Sequence, residues 1–102
     1  MQIGYARISR GDHQDLSPQI ATLRAAGCEI IHEEEASGGD GNRPRLASAL
    51  ASLRPGDVLA VWKLDRLARS LRDLLFILER IEQAGAGFRS VTEAIDTTTA
   101  PG

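Results

Sequence analysis

Cysteine occurs once in the 102 residues, as Cys28, so no disulfide can close within the chain and no cysteine-based zinc site can form. A core thiol in a reducing interior is expected. The two histidines, His13 and His32, lack the spacing of a metal pair, which favours surface or turn positions over ligand roles. No apolar run approaches the roughly 20 residues of a membrane span, and no leader pattern is visible. No membrane partner is expected, and the cytoplasm is the expected location. Positive charge is not in excess either: the formal net charge is −2, which argues against DNA binding by the surface as a whole. Gly38-Gly39-Asp40-Gly41 lacks the Lys-Ser/Thr that follows a phosphate loop, and reads as a mobile loop.

With 42% hydrophobic and 25% charged residues, the chain can bury one modest core. Charge is unevenly placed. Residues 42–89 carry nine basic and five acidic side chains, a segment of +4 between flanks of −4 and −2. A local basic cluster on a mildly acidic domain fits a site for one phosphate better than a groove that tracks a backbone.

The hydrophobic pattern alternates strand and helix. Strands are expected near 2–8, 28–34, 57–62 and 87–92, and helices near 17–26, from Pro44 to Leu53, and near 66–84. Gly27 and Gly85 are positioned to stop helices, while Asn42 and Pro44 place Arg43 at a helix mouth. This predicts an α/β domain of three layers, a mainly parallel four- to five-stranded sheet with helices on both faces, which binds ligands at the carboxyl ends of its strands. Ser9, Glu34 and Asp65 fall there. Along the long helix Leu67, Leu71, Leu74, Leu75, Leu78 and Ile81 keep helical spacing. Phe76 and Ile77 lie off that stripe, and are expected to meet a partner subunit or a segment beyond these residues.

In the first strand, Tyr5, Arg7 and Ser9 share one face. A serine beside a guanidinium is a possible nucleophile for a phosphodiester, because the fork of donors stabilises charge building on phosphate oxygens. On this stretch alone the commoner arrangement is Arg7 capping a strand end and Ser9 opening a turn. Downstream, Asp65, Arg66 and Arg69 have the spacing to converge at the first turns of a helix, where two arginines call for an anion. A solvated charged face is the general alternative.

Five segments in series, Tyr5-Ala6-Arg7-Ile8-Ser9, Ala36-Ser37-Gly38, Asn42-Arg43-Pro44, Trp62 to Ser70 and Thr92 to Thr97, together resemble the catalytic domain of serine site-specific recombinases, the resolvase and DNA invertase family. Trp62 to Ser70 and Thr92 to Thr97 look most like the invertase branch. The resemblance implies that Ser9 attacks a DNA phosphodiester, giving a 5′-phosphoserine link and a free 3′-hydroxyl, then reverses the step after strand exchange. It implies that Arg7, Arg43, Arg66 and Arg69 surround the scissile phosphate and that Asp65 moves a proton or holds the arginines. Tyr5, Gln14, Gln19 and Glu34 are implied as supporting residues. No cofactor is implied, since the bond energy is kept in the phosphoserine and guanidiniums supply the charge a metal would bring.

Where the family often has Asp before Ala-Ser-Gly, this chain has Glu34, with a longer reach. Ala68 and Arg45 stand where the family often has glycine, and Ala68 suits a helix. The stretch after Ser9 is one residue longer than usual. Family members continue into a long dimerising helix and a helix-turn-helix domain. Residues 1–102 are therefore expected to be a catalytic core, acting on double-stranded DNA as a homodimer or tetramer at full length, and monomeric and weak or inactive as this fragment. Two other functions compete: a noncatalytic decoy or assembly module of the same fold, and a small phosphate-ligand-binding regulatory domain.

Overall fold

The computed structural model describes residues 1–8, 16–35, 43–68 and 70–97. Five strands form one sheet: β1 (Gln2–Ile8), β2 (Ile30–Glu35), β3 (Val58–Val61), β4 (Gly87–Ser90) and β5 (Ile95–Asp96). Their order is β2-β1-β3-β4-β5, with the first four parallel and β5 antiparallel to β4. Among the described residues the helices are α1 (Ser17–Ala25), α2 (Pro44–Ser52), α3 (Leu64–Leu67) and α4 (Leu71–Gln83). The expected α/β architecture is present.

Strand alternation assigns β1 to two separate cores. Ile3 and Tyr5 pack with Leu46 and Ala49 of α2, Leu67 of α3, and Ile77 and Ile81 of α4. Ala6 packs with Leu23 of α1, Cys28 and Ala60 on the opposite face. That second layer is thin because its sheet residues are small. A Cβ at Gly4 would stand 3.2 Å from both Leu23 Cδ1 and Ile31 Cγ1 and 3.3 Å from Cys28 Sγ, so α1 lies close only because glycine is there. Cys28 is buried as expected, and burial pushes its thiol pKa up.

The helix expected near 66–84 is two helices. Ala68, placed inside a helix on propensity, is extended at φ −130 and ψ 149, and α4 restarts with Ser70 as its N-cap, whose Oγ accepts from Asp73 N at 3.1 Å. The cause is tertiary. A continuing helix would bond the carbonyls of Asp65, Arg66 and Leu67 to the N–H groups four residues on. Guanidiniums take these carbonyls instead: Arg7 Nη2 reaches Asp65 O at 2.8 Å, Arg7 Nε reaches Arg66 O at 3.0 Å, and Arg43 Nη1 reaches Leu67 O at 2.6 Å. The break moves Arg66 from a helix start to the last turn of α3, where the helix dipole favours a cation.

It also rotates α4. Leu74, Ile77, Leu78 and Ile81 form its core stripe, whereas Leu71 and Leu75 face solvent, 70% and 57% exposed. Ile77 is thus a core residue and not a partner contact. Phe76 is exposed.

Candidate active site

Arg7 is placed by its backbone first. The pairing of β1 with β3 ends at Tyr5 opposite Val61. Two residues on, the Gln19 side chain takes over the role of a strand: Oε1 accepts from Arg7 N at 3.1 Å and Nε2 donates to Arg7 O at 3.0 Å. A primary amide has the donor and acceptor of a peptide group, so one side chain satisfies both buried groups. Gln19 is 3% exposed and sits on α1, which fixes that helix to the residue two before Ser9.

The Arg7 guanidinium then crosses to α3. Burial, with repulsion from Arg43 and Arg66, draws its pKa below the ordinary guanidinium value, while Tyr5 and Asp65 act in the opposite sense. It stays charged at any physiological pH. Arg43, at the N-cap of α2, adds an ion pair to its bond with Leu67: the single nitrogen Nη2 lies 2.9 and 2.8 Å from the two oxygens of Asp73. Both side chains are mostly buried, so the pair is little screened.

Glu34 closes the arrangement from β2. Its carboxylate accepts from Tyr5 Oη at 2.9 Å and from the backbone N–H groups of Arg45 and Leu46 at 3.1 and 3.2 Å. A buried carboxylate on the first turn of α2 favours its dipole and positions Arg43 at the helix mouth. Burial, then the hydrogen bond and charge of Glu34, raise the Tyr5 pKa far above the ordinary tyrosine value. A raised folded pKa means that Tyr5 contributes stability below its unfolded pKa of about 10 and loses it as pH rises further. Stability is therefore expected to fall by about 1.4 kcal/mol per pH unit above about pH 10, from this group alone. Tyr5 is the sole tyrosine, so tyrosinate absorbance should appear only with unfolding. Gradual ionisation in the folded state would contradict this.

At the carboxyl ends of β1, β2 and β3 the fold thus brings together Tyr5, Arg7, Gln19, Glu34, Arg43, Asp65 and Arg66. Asp65 is exposed and Arg66 half-buried. Lys63 Nζ and Arg66 Cζ stand 4.9 and 5.9 Å from the centre of the Trp62 ring. Ser9, Gln14 and Arg69 lie outside the described residues, as do His13, Asn42 and the segment 36–41. Two acids were missed. Asp73 is signalled by the Ser70-x-x-Asp73 start of α4, and Glu93 only by lying in the family-like segment Thr92 to Thr97, with its partners visible only in the fold.

The fold sets cationic side chains around the end of the strand that precedes Ser9 in the sequence, and comparison with known proteins gives the family. The family described as Resolvase, N terminal domain matches residues 2–102. A DNA-invertase of Escherichia phage P1 is 47% identical over 102 residues, covering all of this chain and 54% of that protein. The serine recombinase gin of Escherichia phage Mu is 45% identical over 102 residues, covering all of this chain and 52% of that protein. Among solved structures, the C-terminal catalytic domain of an IS607-like serine recombinase superposes with a TM-score of 0.72 at 26% identity, covering 88% of this chain and 66% of that one. A resolvase family site-specific recombinase from Streptococcus pneumoniae shares the fold, with a TM-score of 0.72 at 21% identity, covering 97% of this chain and 76% of that one.

The chain belongs to the resolvase N-terminal domain family and has the fold of a serine recombinase catalytic domain. It spans about half the length of the curated relatives it matches. No helix among the described residues is long and apolar enough to cross a membrane.

Proposed function

We propose that this domain cuts and rejoins double-stranded DNA as the catalytic part of a site-specific recombinase of the invertase type. Ser9 Oγ attacks the scissile phosphorus and the 3′-oxygen leaves, which conserves the phosphodiester energy in a 5′-phosphoserine bond. The freed 3′-hydroxyl of an exchanged strand later attacks that bond and releases Ser9. Arg66 and Arg69 offset the charge that builds on the phosphate oxygens. Arg7 and Arg43 set the loop that carries them and add to the positive field. Asp65, exposed beside Arg66, moves the proton or orients the guanidiniums. Tyr5, Gln14, Gln19 and Glu34 support these positions. The partner is DNA, and the working assembly is a homodimer or tetramer of the whole protein in the cytoplasm.

The observation that carries this reading is the convergence of Arg7, Arg43, Asp65 and Arg66 on one loop at the end of the strand leading to Ser9. The test is a denaturing gel of the full gene product expressed in its own host and lysed in excess chelator. A protein–DNA species resistant to detergent, present without metal and lost in Ser9→Ala, is expected. A species that persists in Ser9→Ala, or that vanishes with chelator, would refute the mechanism.

A further inference from the structure

The loop that carries Asp65 and Arg66 begins at a backbone donor its own helix cannot satisfy. Leu64 is the first residue of the four-residue α3, so its N–H has no partner within the helix. Glu93 meets it from the turn between β4 and β5: Oε1 accepts from Leu64 N at 2.7 Å and, on the same oxygen, from Ser90 Oγ at 2.7 Å. Ser90 is wholly buried, so the carboxylate is tied to the core although Glu93 itself is exposed. Thr92 completes the seam, with its N and Oγ1 at 3.2 and 2.6 Å from Trp62 O.

Two further features mark this turn. Ala94, beside Glu93, has a φ of 55, alone among the described non-glycine residues in the left-handed region that L side chains resist. The bonds to Ser90, then to Leu64, and the Lys63 charge hold the Glu93 carboxyl below the usual range, so it is ionised at neutral pH. A helix this short has almost no stability of its own. α3 is held from outside at both ends, by Arg7 and Arg43 on its last carbonyls and by Glu93 on its first N–H.

We propose that Glu93 is a positioning residue for the recombination reaction: through Leu64 N–H it fixes the start of α3, and with it the places of Asp65 and Arg66 at the phosphate. This rests on the recombinase function above. Releasing one end lets the loop drift, and a shift of about 1 Å at a reacting centre can cost on the order of a hundredfold in rate.

The test uses the full gene product and, as substrate, DNA recovered from the covalent complexes of the unaltered protein. If the unaltered protein forms no complex, the recombinase function fails and this proposal with it. Given complexes, Glu93→Ala is expected to bind that DNA with unchanged affinity and to cleave it at least about tenfold more slowly. Glu93→Gln, whose amide oxygen can accept both bonds, should recover the rate to within about threefold. Thr97→Ala serves as the stability control, since it removes the Phe88 N to Thr97 Oγ1 bond of 2.8 Å without touching α3. A cleavage rate in Glu93→Ala equal to that of the unaltered protein, a loss shared equally by Thr97→Ala at matched melting temperature, or no recovery in Glu93→Gln would overturn the proposal.

Discussion

Arg7→Ala is expected to lower the folding free energy by about 3 kcal/mol, because it leaves two carbonyls of α3 without the charged donors that now satisfy them. For a domain of this size that corresponds to a fall in Tm of roughly 12–24 °C. The loss should be local before it is global. Trp62, the chain's single tryptophan, stands two residues before α3 with Lys63 and Arg66 near its ring, so its fluorescence should change at denaturant concentrations where far-ultraviolet dichroism still reports an intact sheet. Arg7→Lys should not rescue, since one ammonium on a flexible stem cannot hold two carbonyls in the fixed fork geometry of Nε and Nη2. A variant with unaltered Tm and a single coincident transition would show that Arg7 does not hold α3.

Glu34→Ala comes second in size, at about 2–4 kcal/mol. It strips the acceptor from the buried Tyr5 Oη and from two backbone donors at the start of α2. Glu34→Gln keeps one acceptor oxygen and turns an amide N–H toward donors, so it should recover only part of the loss. Urea midpoints at constant slope measure both. Equal stability of the alanine variant and the unaltered chain would mean that water replaces the carboxylate, and that α2 does not depend on β2 for its start.

The contrast between these two residues shows what the sequence discloses. Alternation along β1 is a local property, so the shared face of Tyr5 and Arg7 and the parallel sheet could be read directly from residue types. Gly27 and Gly85 likewise end helices through their own φ values of 102 and 74. The break at Ala68 could not be read that way. Alanine has the highest helix propensity, and the groups that outcompete the helix for its carbonyls come from Arg7 and Arg43, 58 or 59 and 24 positions away. The rotation of α4 follows from the same break, which is why Ile77 turned inward and Leu71 and Leu75 outward.

The candidate site divides in the same manner. Arg7, Arg43, Asp65 and Arg66 were identifiable as chemistry-bearing residues from their types and their segments. Their present partners were not, because a guanidinium bound to a carbonyl and one aimed at a phosphate have the same sequence. Asp73 pairs with Arg43, and Glu93 caps α3, across 30 and 29 positions. Such long-range bonds belong to the topology that sets β3 between β1 and β4.

The central claim is that Ser9 becomes covalently bonded to DNA, and mass spectrometry of nuclease-treated protein, expressed at full gene length in its own host, tests it most directly. The expected result is a nucleotide phosphate on the peptide containing Ser9, lost in Ser9→Ala. Full coverage of that peptide with no adduct, from protein shown to have engaged its DNA, would contradict the claim and favour a noncatalytic module of the same fold.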